Sequence, residues 1–299
     1  MRTATPAWEP AEATTPDPDF VDRLDRARAL LHGRRIVALT GAGVSTASGI
    51  PDYRSPGAPR RTPMTLQQFL GSAEFRRRYW ARNHLGWRHM DSALPNAAHR
   101  GLAALPGVSA VITQNVDLLH LKAGSRGVID LHGNYAQVRC LSCEYRISRH
   151  ALHARLAPLN ADFTARIAGR GALEVAPDAD VVVEDTTDFT MVDCPECQGI
   201  LKPDIVYFGE SVPKPRVARA FAAVDGADAL LVLGTSLTVM SGLRFVRHAH
   251  RRGTPVVIVN RGRTRGDGLA DVTVDVDVAT ALRHLADDRP SSTDREETP

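Results

Sequence analysis

Lysine, cysteine and long apolar runs are scarce in this sequence. Lysine occurs only at Lys122, Lys202 and Lys214, cysteine occurs four times, and no apolar run reaches about 18 residues. A chain without such a run is not expected to cross a membrane as a helix. The net charge of +3 over 299 residues is small. It argues against nucleic-acid binding, which needs a concentrated basic face.

The first residues match neither a secretory nor an organellar signal. Residues 1–17 are rich in Ala, Thr and Pro, contain Glu9 and Glu12, and lack both an apolar h-region and an Arg-rich amphipathic pattern. We therefore expect a cytoplasmic protein with a disordered N-terminus over residues 1–17. Residues 287–299, rich in Pro, Ser and charge, are expected to form a disordered tail.

The four cysteines form two C-x-x-C pairs, which in a cytoplasmic protein favour a metal over disulfides. The pairs are Cys140/Cys143 and Cys194/Cys197. Four thiolates suit a structural Zn²⁺ ion, because they leave no open position for catalysis. The 50 residues from 144 to 193 separate the pairs, against about 15 to 20 in a generic zinc ribbon. The spacing alone therefore leaves open two separate redox or packing pairs.

Short runs of Val, Ile and Leu alternate with helical patterns, which predicts a parallel sheet covered by helices on both faces. The predicted strands are 35–39, 108–113, 128–131, 229–233, 255–259 and 272–276. Four residues directly follow such runs: Gly41, Gln114, Gly234 and Asn260. Ligands of doubly wound sheets bind at this carboxyl edge. We therefore predict an α/β fold with a doubly wound, Rossmann-like parallel sheet and a cofactor crevice at that edge.

Residues 134–205 do not continue this alternation of strands and helices, and they contain all four cysteines. We predict that they form a smaller inserted zinc-binding domain. The nucleotide-binding domain then consists of residues 18–133 and 206–286. It begins with a helix whose apolar residues recur from Phe20 to Leu31, and Asn96 is expected to cap a later helix.

The segment that follows the first predicted strand is Thr40-Gly41-Ala42-Gly43-Val44-Ser45-Thr46-Ala47-Ser48-Gly49-Ile50-Pro51-Asp52-Tyr53-Arg54-Ser55. A strand that ends at two glycines is typical of a phosphate-binding turn, because glycine lets backbone N–H groups approach a pyrophosphate. Thr46 replaces the third glycine of the dinucleotide fingerprint, so the turn alone leaves an ordinary connection open. Pro51 stops a helix there, which places Asp52 and Arg54 on a loop.

This segment resembles the cofactor-binding loop of sirtuins, the NAD-dependent protein deacylases. Further blocks resemble the family in the family's order: Thr113-Gln114-Asn115-Val116-Asp117, Leu131-His132-Gly133, the two cysteine pairs, residues 202–210, Gly234-Thr235-Ser236 and Val259-Asn260. Together they extend from about residue 20 to about residue 285. The long segment between the cysteine pairs is similar to that of class II sirtuins.

The resemblance implies a role for each matching residue. His132 would be the general base that takes a proton from a ribose hydroxyl, assisted by Asn115. His120 matches a structural position and is left out of the site. The NAD contacts implied are Gly41, Ala42, Gly43, Asp52, Tyr53, Arg54, Gln114, Asn115, Asp117, Gly234, Thr235, Ser236, Asn260, Arg261 and Val278.

The resemblance also implies one structural Zn²⁺ on Cys140, Cys143, Cys194 and Cys197. An extended substrate peptide would pair with Val206, Tyr207, Phe208 and Gly209 by strand addition. The chemistry implied is removal of an acyl group from lysine with cleavage of NAD, giving nicotinamide and O-acyl-ADP-ribose. Partners would be acyl-lysine-bearing proteins, for example acyl-CoA synthetases, with neither nucleic acid nor a membrane.

Three alternatives stay open. The same NAD cleavage could serve mono-ADP-ribosylation of a protein side chain. An NAD-sensing or zinc-ribbon interaction module without turnover is a second alternative, although a base beside the ribose argues against it. The third is a deacylase that prefers longer or acidic acyl groups. Tyr79 and Arg82 are similar to the Tyr-x-x-Arg of another sirtuin class with that preference.

Overall fold

The computed structural model describes residues 19–52, 64–168, 183 and 185–287. Tyr53 and Arg54 of the predicted cofactor loop lie outside these ranges. The same is true of the predicted N-terminal segment and of the predicted tail beyond Asp287. No helix within the described ranges is long and apolar enough to span a bilayer.

The described strands are, in chain order, β1 (Ile36–Thr40), β2 (Val108–Thr113), β3 (Val128–Asp130), β4 (Gly133–Cys140), β5 (Arg146–Ser148), β6 (Leu201–Ile205), β7 (Ala229–Leu233), β8 (Val256–Val259) and β9 (Val272–Val274). The described helices are α1 (Phe20–Leu31), α2 (Leu66–Gly71), α3 (Ala73–Ser92), α4 (Ala97–Ala104), α5 (Leu119–Lys122), α6 (Arg149–Leu159), α7 (Ala161–Ala168), α8 (Lys214–Asp225), α9 (Met240–Arg251) and α10 (Val278–Leu285).

The larger sheet of the described residues has six strands in the order β3-β2-β1-β7-β8-β9, all paired in parallel. The chain runs outward from β1 to β3 on one side and from β7 to β9 on the other. The strand order therefore reverses at β1 and β7, which is where doubly wound sheets bind ligands. The predicted parallel Rossmann-like sheet is confirmed, and each predicted strand lies within two residues of an observed one.

All five residues of β1 are buried, which explains why the four residues before Thr40 are apolar. Ile36 and Ala38 belong to a core that also holds residues of α1, α4 and α10. Val37 and Leu39 face the opposite core, which holds residues of α8 and α9. Both faces of the strand are covered by helices, so alternation with polar residues is not tolerated.

A second, three-stranded antiparallel sheet has the order β5-β4-β6, and Cys140 is the one cysteine on its strands. β4 ends at Cys140, and α6 and α7 follow β5. β6 returns the chain to the larger sheet. This smaller module is inserted between β3 and β7, as the sequence predicts, whereas the limits 134–205 stay a prediction.

The sequence indicates strand character for residues 205–210, but in the structure only Ile205 belongs to β6, and Phe208 forms an isolated parallel bridge with Thr65. β6 ends at Ile205, so the expected strand is not continuous through residue 210. Gly209 has a φ of +77°, and the N–H of Glu210 donates to the Tyr207 carbonyl at 3.0 Å. The Glu210 carboxylate accepts from the Tyr207 N–H at 2.9 Å and pairs with the buried Lys202 ammonium at 2.9 Å. This ion pair closes the segment into a turn.

Asn96 caps α4 and also ties it to the glycine turn. Its Oδ1 accepts hydrogen bonds from the N–H groups of Ala98 at 2.8 Å and His99 at 3.3 Å. Its Nδ2 donates to the Val44 carbonyl at 2.8 Å and to Ser48 Oγ at 3.0 Å. One side-chain amide therefore positions both α4 and the glycine turn that follows β1.

We expect Asn96→Ala to lower the free energy of unfolding by about 1–2 kcal/mol, because the cap is lost. Asn96→Ser keeps a capping oxygen and loses the Nδ2 donor, so its loss should be smaller. Urea denaturation of both variants measures the difference. Equal losses would contradict the capping role.

Candidate active site

The glycine turn after β1 packs directly on the backbone that follows β7. The Gly41 N–H donates to the Leu233 carbonyl at 3.1 Å, and the Gly43 N–H donates to the Gly234 carbonyl at 2.9 Å. A Cβ on Gly41 would lie 2.5 Å from Thr235 Cβ. A Cβ on Gly43 would lie 2.9 Å from the Gly234 oxygen. The glycines are thus required by the contact between two loops, a different reason from the pyrophosphate approach that the sequence suggests.

Beneath this turn, Ser45 joins two of the predicted cofactor residues. Its Oγ donates to Asp117 Oδ2 at 2.6 Å and accepts from Asn115 Nδ2 at 3.0 Å. Asn115 Nδ2 also donates to the Gly41 carbonyl at 2.9 Å, and Asp117 Oδ1 accepts from the Leu119 N–H at 2.9 Å. Burial raises the pKa of Asp117. Sequence reasoning missed Ser45, although a hydroxyl within the glycine segment was a usable signal.

Two buried histidines complete this polar layer. His120 Nε2 lies 2.9 Å from Thr40 Oγ1, and His99 Nε2 lies 3.4 Å from Ser45 Oγ. The His99 and His120 rings meet edge to face, with centroids 4.9 Å apart. Burial lowers the pKa of His120 to about 4. Both rings are therefore neutral at pH 7, as suits a support beneath the turn.

His132 lies one residue beyond Leu131, at the carboxyl edge of the sheet. Its Nδ1 is 2.9 Å from the Gln114 carbonyl oxygen, and its Nε2 is 2.8 Å from Ser241 Oγ. A carbonyl only accepts, so the proton of the neutral ring is on Nδ1 and the lone pair is on Nε2. Burial lowers the pKa of His132 to about 4, with Arg244 and Arg216 acting in the same direction. At pH 7 this ring can accept a proton at Nε2.

The side chain of Gln114 extends along the same edge towards β7. Its Nε2 donates to Thr235 Oγ1 at 3.0 Å and to the Thr40 carbonyl at 3.3 Å. Residues from the ends of β1, β2 and β7 are therefore joined in one hydrogen-bonded set. The structure brings together the predicted residues Gly41, Ala42, Gly43, Gln114, Asn115, Asp117, Gly234 and Thr235.

The remaining predicted cofactor residues lie further along this edge or outside the described ranges. Asn260 follows β8, and its Nδ2 donates to the carbonyls of Arg261 at 2.7 Å and Gly262 at 3.0 Å. Ser236 Oγ lies 2.9 Å from Thr238 Oγ1. The Val278 side chain is buried in the core beside α1 and α4, so only its backbone can face a ligand. Asp52 is half-buried.

The predicted substrate segment begins next to His132, because the Val206 N–H donates to the His132 carbonyl at 2.8 Å. Tyr207 is buried, with its ring centroid 5.4 Å from that of Tyr79. Phe208 is 44% exposed. Its carbonyl accepts from the Leu66 N–H at 3.0 Å. Phe208 is therefore the exposed aromatic of the predicted substrate segment.

The four cysteine sulfurs lie within 4.8 Å of one another. The Sγ–Sγ distances are 3.5 Å for Cys140 and Cys197, 3.7 Å for Cys143 and Cys194, and 3.4 Å for Cys143 and Cys197. A tetrahedron with Zn–S bonds of about 2.3 Å has edges of about 3.8 Å, so the sulfurs fit a structural zinc ion. Two pairs that lie far apart in sequence thus form one site, and the alternative of two separate pairs is wrong.

A model of the Sir2 family matches residues 41–241. The chain belongs to the Sir2 family. The matched range includes the glycine turn, the Gln114 to Asp117 block and His132.

Similar proteins and structures cover most of the chain. NAD-dependent protein deacetylase 1 of Mycobacterium avium is 62% identical over 263 residues, which are 87% of this chain and 93% of that protein. NAD-dependent protein deacylase Sirt4 of Drosophila melanogaster is 45% identical over 88% of this chain and 86% of that protein. A crystal structure of Sir2 with the inhibitor EX-527, 2′-O-acetyl-ADP-ribose and a deacetylated p53 peptide has a TM-score of 0.67 at 31% identity. It covers 87% of this chain and 96% of that chain.

We expect elemental analysis of the purified protein to find one zinc ion per chain. Cys194→Ser removes a fully buried ligand and should lower both the zinc content and the Tm, the latter by roughly 10 °C. Ser142→Ala changes the first C-x-x-C turn without removing a thiol and is the matched control. A wild type that contains no zinc, or a Cys194→Ser variant with the Tm of wild type, would contradict the assignment.

Proposed function

We propose that this protein is an NAD-dependent protein-lysine deacetylase that cleaves NAD to nicotinamide and forms O-acyl-ADP-ribose. The observation that carries the proposal is the neutral His132 ring, with its Nε2 lone pair at the carboxyl edge beside Gln114 and Asn115. Membership of the Sir2 family and the names of the similar proteins support it.

The donor set at the sheet edge fits NAD. When bound, NAD supplies the ribose carbon that takes up the acyl oxygen as nicotinamide leaves. The residues that would hold it are Gly41, Ala42, Gly43, Asp52, Tyr53, Arg54, Gln114, Asn115, Asp117, Gly234, Thr235, Ser236, Asn260, Arg261 and Val278. Their support is that the glycine turn, Gln114, Asn115 and Thr235 are joined by hydrogen bonds at the carboxyl edge where the strand order reverses.

Within this chain, His132 is the proton acceptor and Asn115 is the second catalytic residue. The Gln114 carbonyl keeps the imidazole proton on Nδ1, so that Nε2 takes the proton of a substrate hydroxyl. The Gly41 carbonyl and Ser45 Oγ accept hydrogen bonds from the Asn115 amide and so fix its orientation. Rigid hydrogen bonds of this kind hold reacting groups in line and so lower the entropic cost of the reaction.

The small domain, residues 134–205, holds zinc through Cys140, Cys143, Cys194 and Cys197 and supports the substrate side of the site. The nucleotide domain is formed by residues 18–133 and 206–286. Val206, Tyr207, Phe208 and Gly209 receive the substrate peptide at the boundary between the two. Substrates are acyl-lysine-bearing proteins, with acyl-CoA synthetases as a first choice for testing, and the cytoplasm is the proposed location.

A preference for longer or acidic acyl groups is a second candidate. Tyr79 packs against Tyr207 of the substrate segment, and the neighbouring Arg82 is half-buried on the same helix, α3. A panel of acetyl-, succinyl-, glutaryl- and lipoyl-lysine peptides ranks the acyl groups directly. Incubation with labelled NAD separates deacylation from mono-ADP-ribosylation, because only the latter transfers label to protein.

His132→Tyr should abolish loss of the acetyl group from an acetyl-lysine peptide while leaving the fold intact, since the proton acceptor is removed. Mass spectrometry of the peptide measures turnover, and circular dichroism checks the fold. His150→Tyr replaces a histidine whose side chain is 65% exposed and serves as the matched control. Normal turnover by His132→Tyr would refute the role of this ring.

The acid limb of kcat/KM should have its midpoint near pH 4, well below the 6.5 of an ordinary histidine. The lowered pKa keeps Nε2 unprotonated at higher pH, so activity is present above this value and is lost as the pH falls through it. Initial rates between about pH 3 and pH 8 locate the midpoint, with fluorescence at each pH to confirm that the enzyme stays folded. A midpoint near 6.5 in folded enzyme would contradict the buried, neutral ring.

A further inference from the structure

The first turn of α9 lies against the candidate base. Ser241, its second residue, is 7% exposed, and its Oγ is 2.8 Å from His132 Nε2. No role was assigned to Ser241 from the sequence, because a serine at the start of a helix has no pattern that points to a histidine far away in the chain. The contact therefore needs an explanation of its own.

The direction of this hydrogen bond follows from the other side of the ring. The Gln114 carbonyl can only accept, so His132 Nδ1 carries the proton and Nε2 carries the lone pair. The Ser241 hydroxyl must then donate to Nε2. The hydroxyl thus occupies the atom that has to receive a proton during the reaction, and it also fixes the plane of the ring.

The next residue, Gly242, lies against the side chain of Gln114, whose carbonyl is the other hydrogen-bond partner of His132. A Cβ at this position would lie 2.7 Å from Gln114 Oε1 and 3.0 Å from Gln114 Cδ. Glycine inside a helix costs about 0.5–1 kcal/mol relative to alanine, so its presence in α9 needs a reason. The close approach of the Gln114 amide supplies it. Ser241 therefore contacts His132, and the next residue, Gly242, leaves room for the side chain of Gln114.

We propose that Ser241 and Gly242 form a positioning element for the active site. Ser241 holds the imidazole of His132 with the Nε2 lone pair in place and gives way to a substrate hydroxyl, and Gly242 leaves room for the Gln114 amide. In the proton transfer the O–H bond of the substrate hydroxyl breaks and its proton goes to Nε2, while Ser241 keeps its own proton. The reaction assumed is that of the proposed function.

Replacement of Ser241 does not change the charged residues around His132. Arg244 of α9 and Arg216 of α8 act on the ring, and Asp130, at the end of β3, lies two residues away. Ser241→Ala leaves all three in place and removes only the hydroxyl. The neutral imidazole then loses a donor that stabilises it, so the pKa of His132 should rise.

Nuclear magnetic resonance of the full-length unliganded protein with isotope-labelled histidine tests the contact without any need for activity. Ser241→Ala should raise the pKa of His132 and change the Nε2 resonance, and Ser241→Thr, which keeps a hydroxyl, should restore both. Ser109→Ala is the matched control, because that hydroxyl donates to the Ile36 carbonyl at 3.0 Å, away from the ring. An unchanged pKa and resonance in Ser241→Ala would overturn the proposal.

Kinetics separate the two residues of the element. Ser241→Ala should lower kcat about tenfold and move the acid limb of kcat/KM to higher pH, with the KM for NAD little changed. Gly242→Ala should raise the KM for NAD about tenfold and leave the acid limb in place. Rates equal to those of wild type in both variants, at unchanged Tm, would overturn the positioning role. A wild type without deacetylase activity would refute the proposed function instead, and the resonance measurements would still decide the contact.

Discussion

The hydrogen bond from His132 Nδ1 to the Gln114 carbonyl is the constraint on which the site depends. It fixes the proton on one ring nitrogen and leaves the lone pair on the other, and burial keeps the ring neutral. Because β2 and β3 are parallel neighbours, the end of one strand presents a carbonyl to the residue that follows the other. The tautomer of a side chain is thus set by the topology of the sheet.

The same sheet edge is held together by backbone contacts. The glycine turn after β1 is hydrogen-bonded to the chain at the end of β7, and Ser45 joins the turn to Asn115 and Asp117. The side chains of Ser45, Asn115 and Asp117 have hydrogen-bond partners within the protein, which fixes their positions at this edge of the sheet. A site built in this way is organised before any ligand arrives, which lowers the cost of binding.

Much of this could be predicted from the sequence. The strand of residues 229–233 has the observed limits, because a strand buried on both faces needs an unbroken apolar run. The strand of residues 108–113 also has the observed limits. The matching blocks pointed to the four cysteines, which the structure brings together, and to His132, whose role as the base stays a prediction. Ser45, Ser241 and Gly242 were missed, since their partners are distant in the chain. The expected strand does not continue beyond Ile205 except for the bridge of Phe208 with Thr65, because the pair of Lys202 and Glu210, visible only in three dimensions, bends the segment.

The cysteine cluster brings the two ends of the 144–193 segment to a single point. Lengthening a closed loop is cheap, at about 0.6 kcal/mol for each doubling of its length. That low cost applies only to the connections, because β5, α6 and α7 lie within the segment and the two helices are packed into the core of the small module. The thiol cluster thus ties both helices to the sheet at a second point, so that loss of the cluster would leave them joined to it through β5 and their own packing.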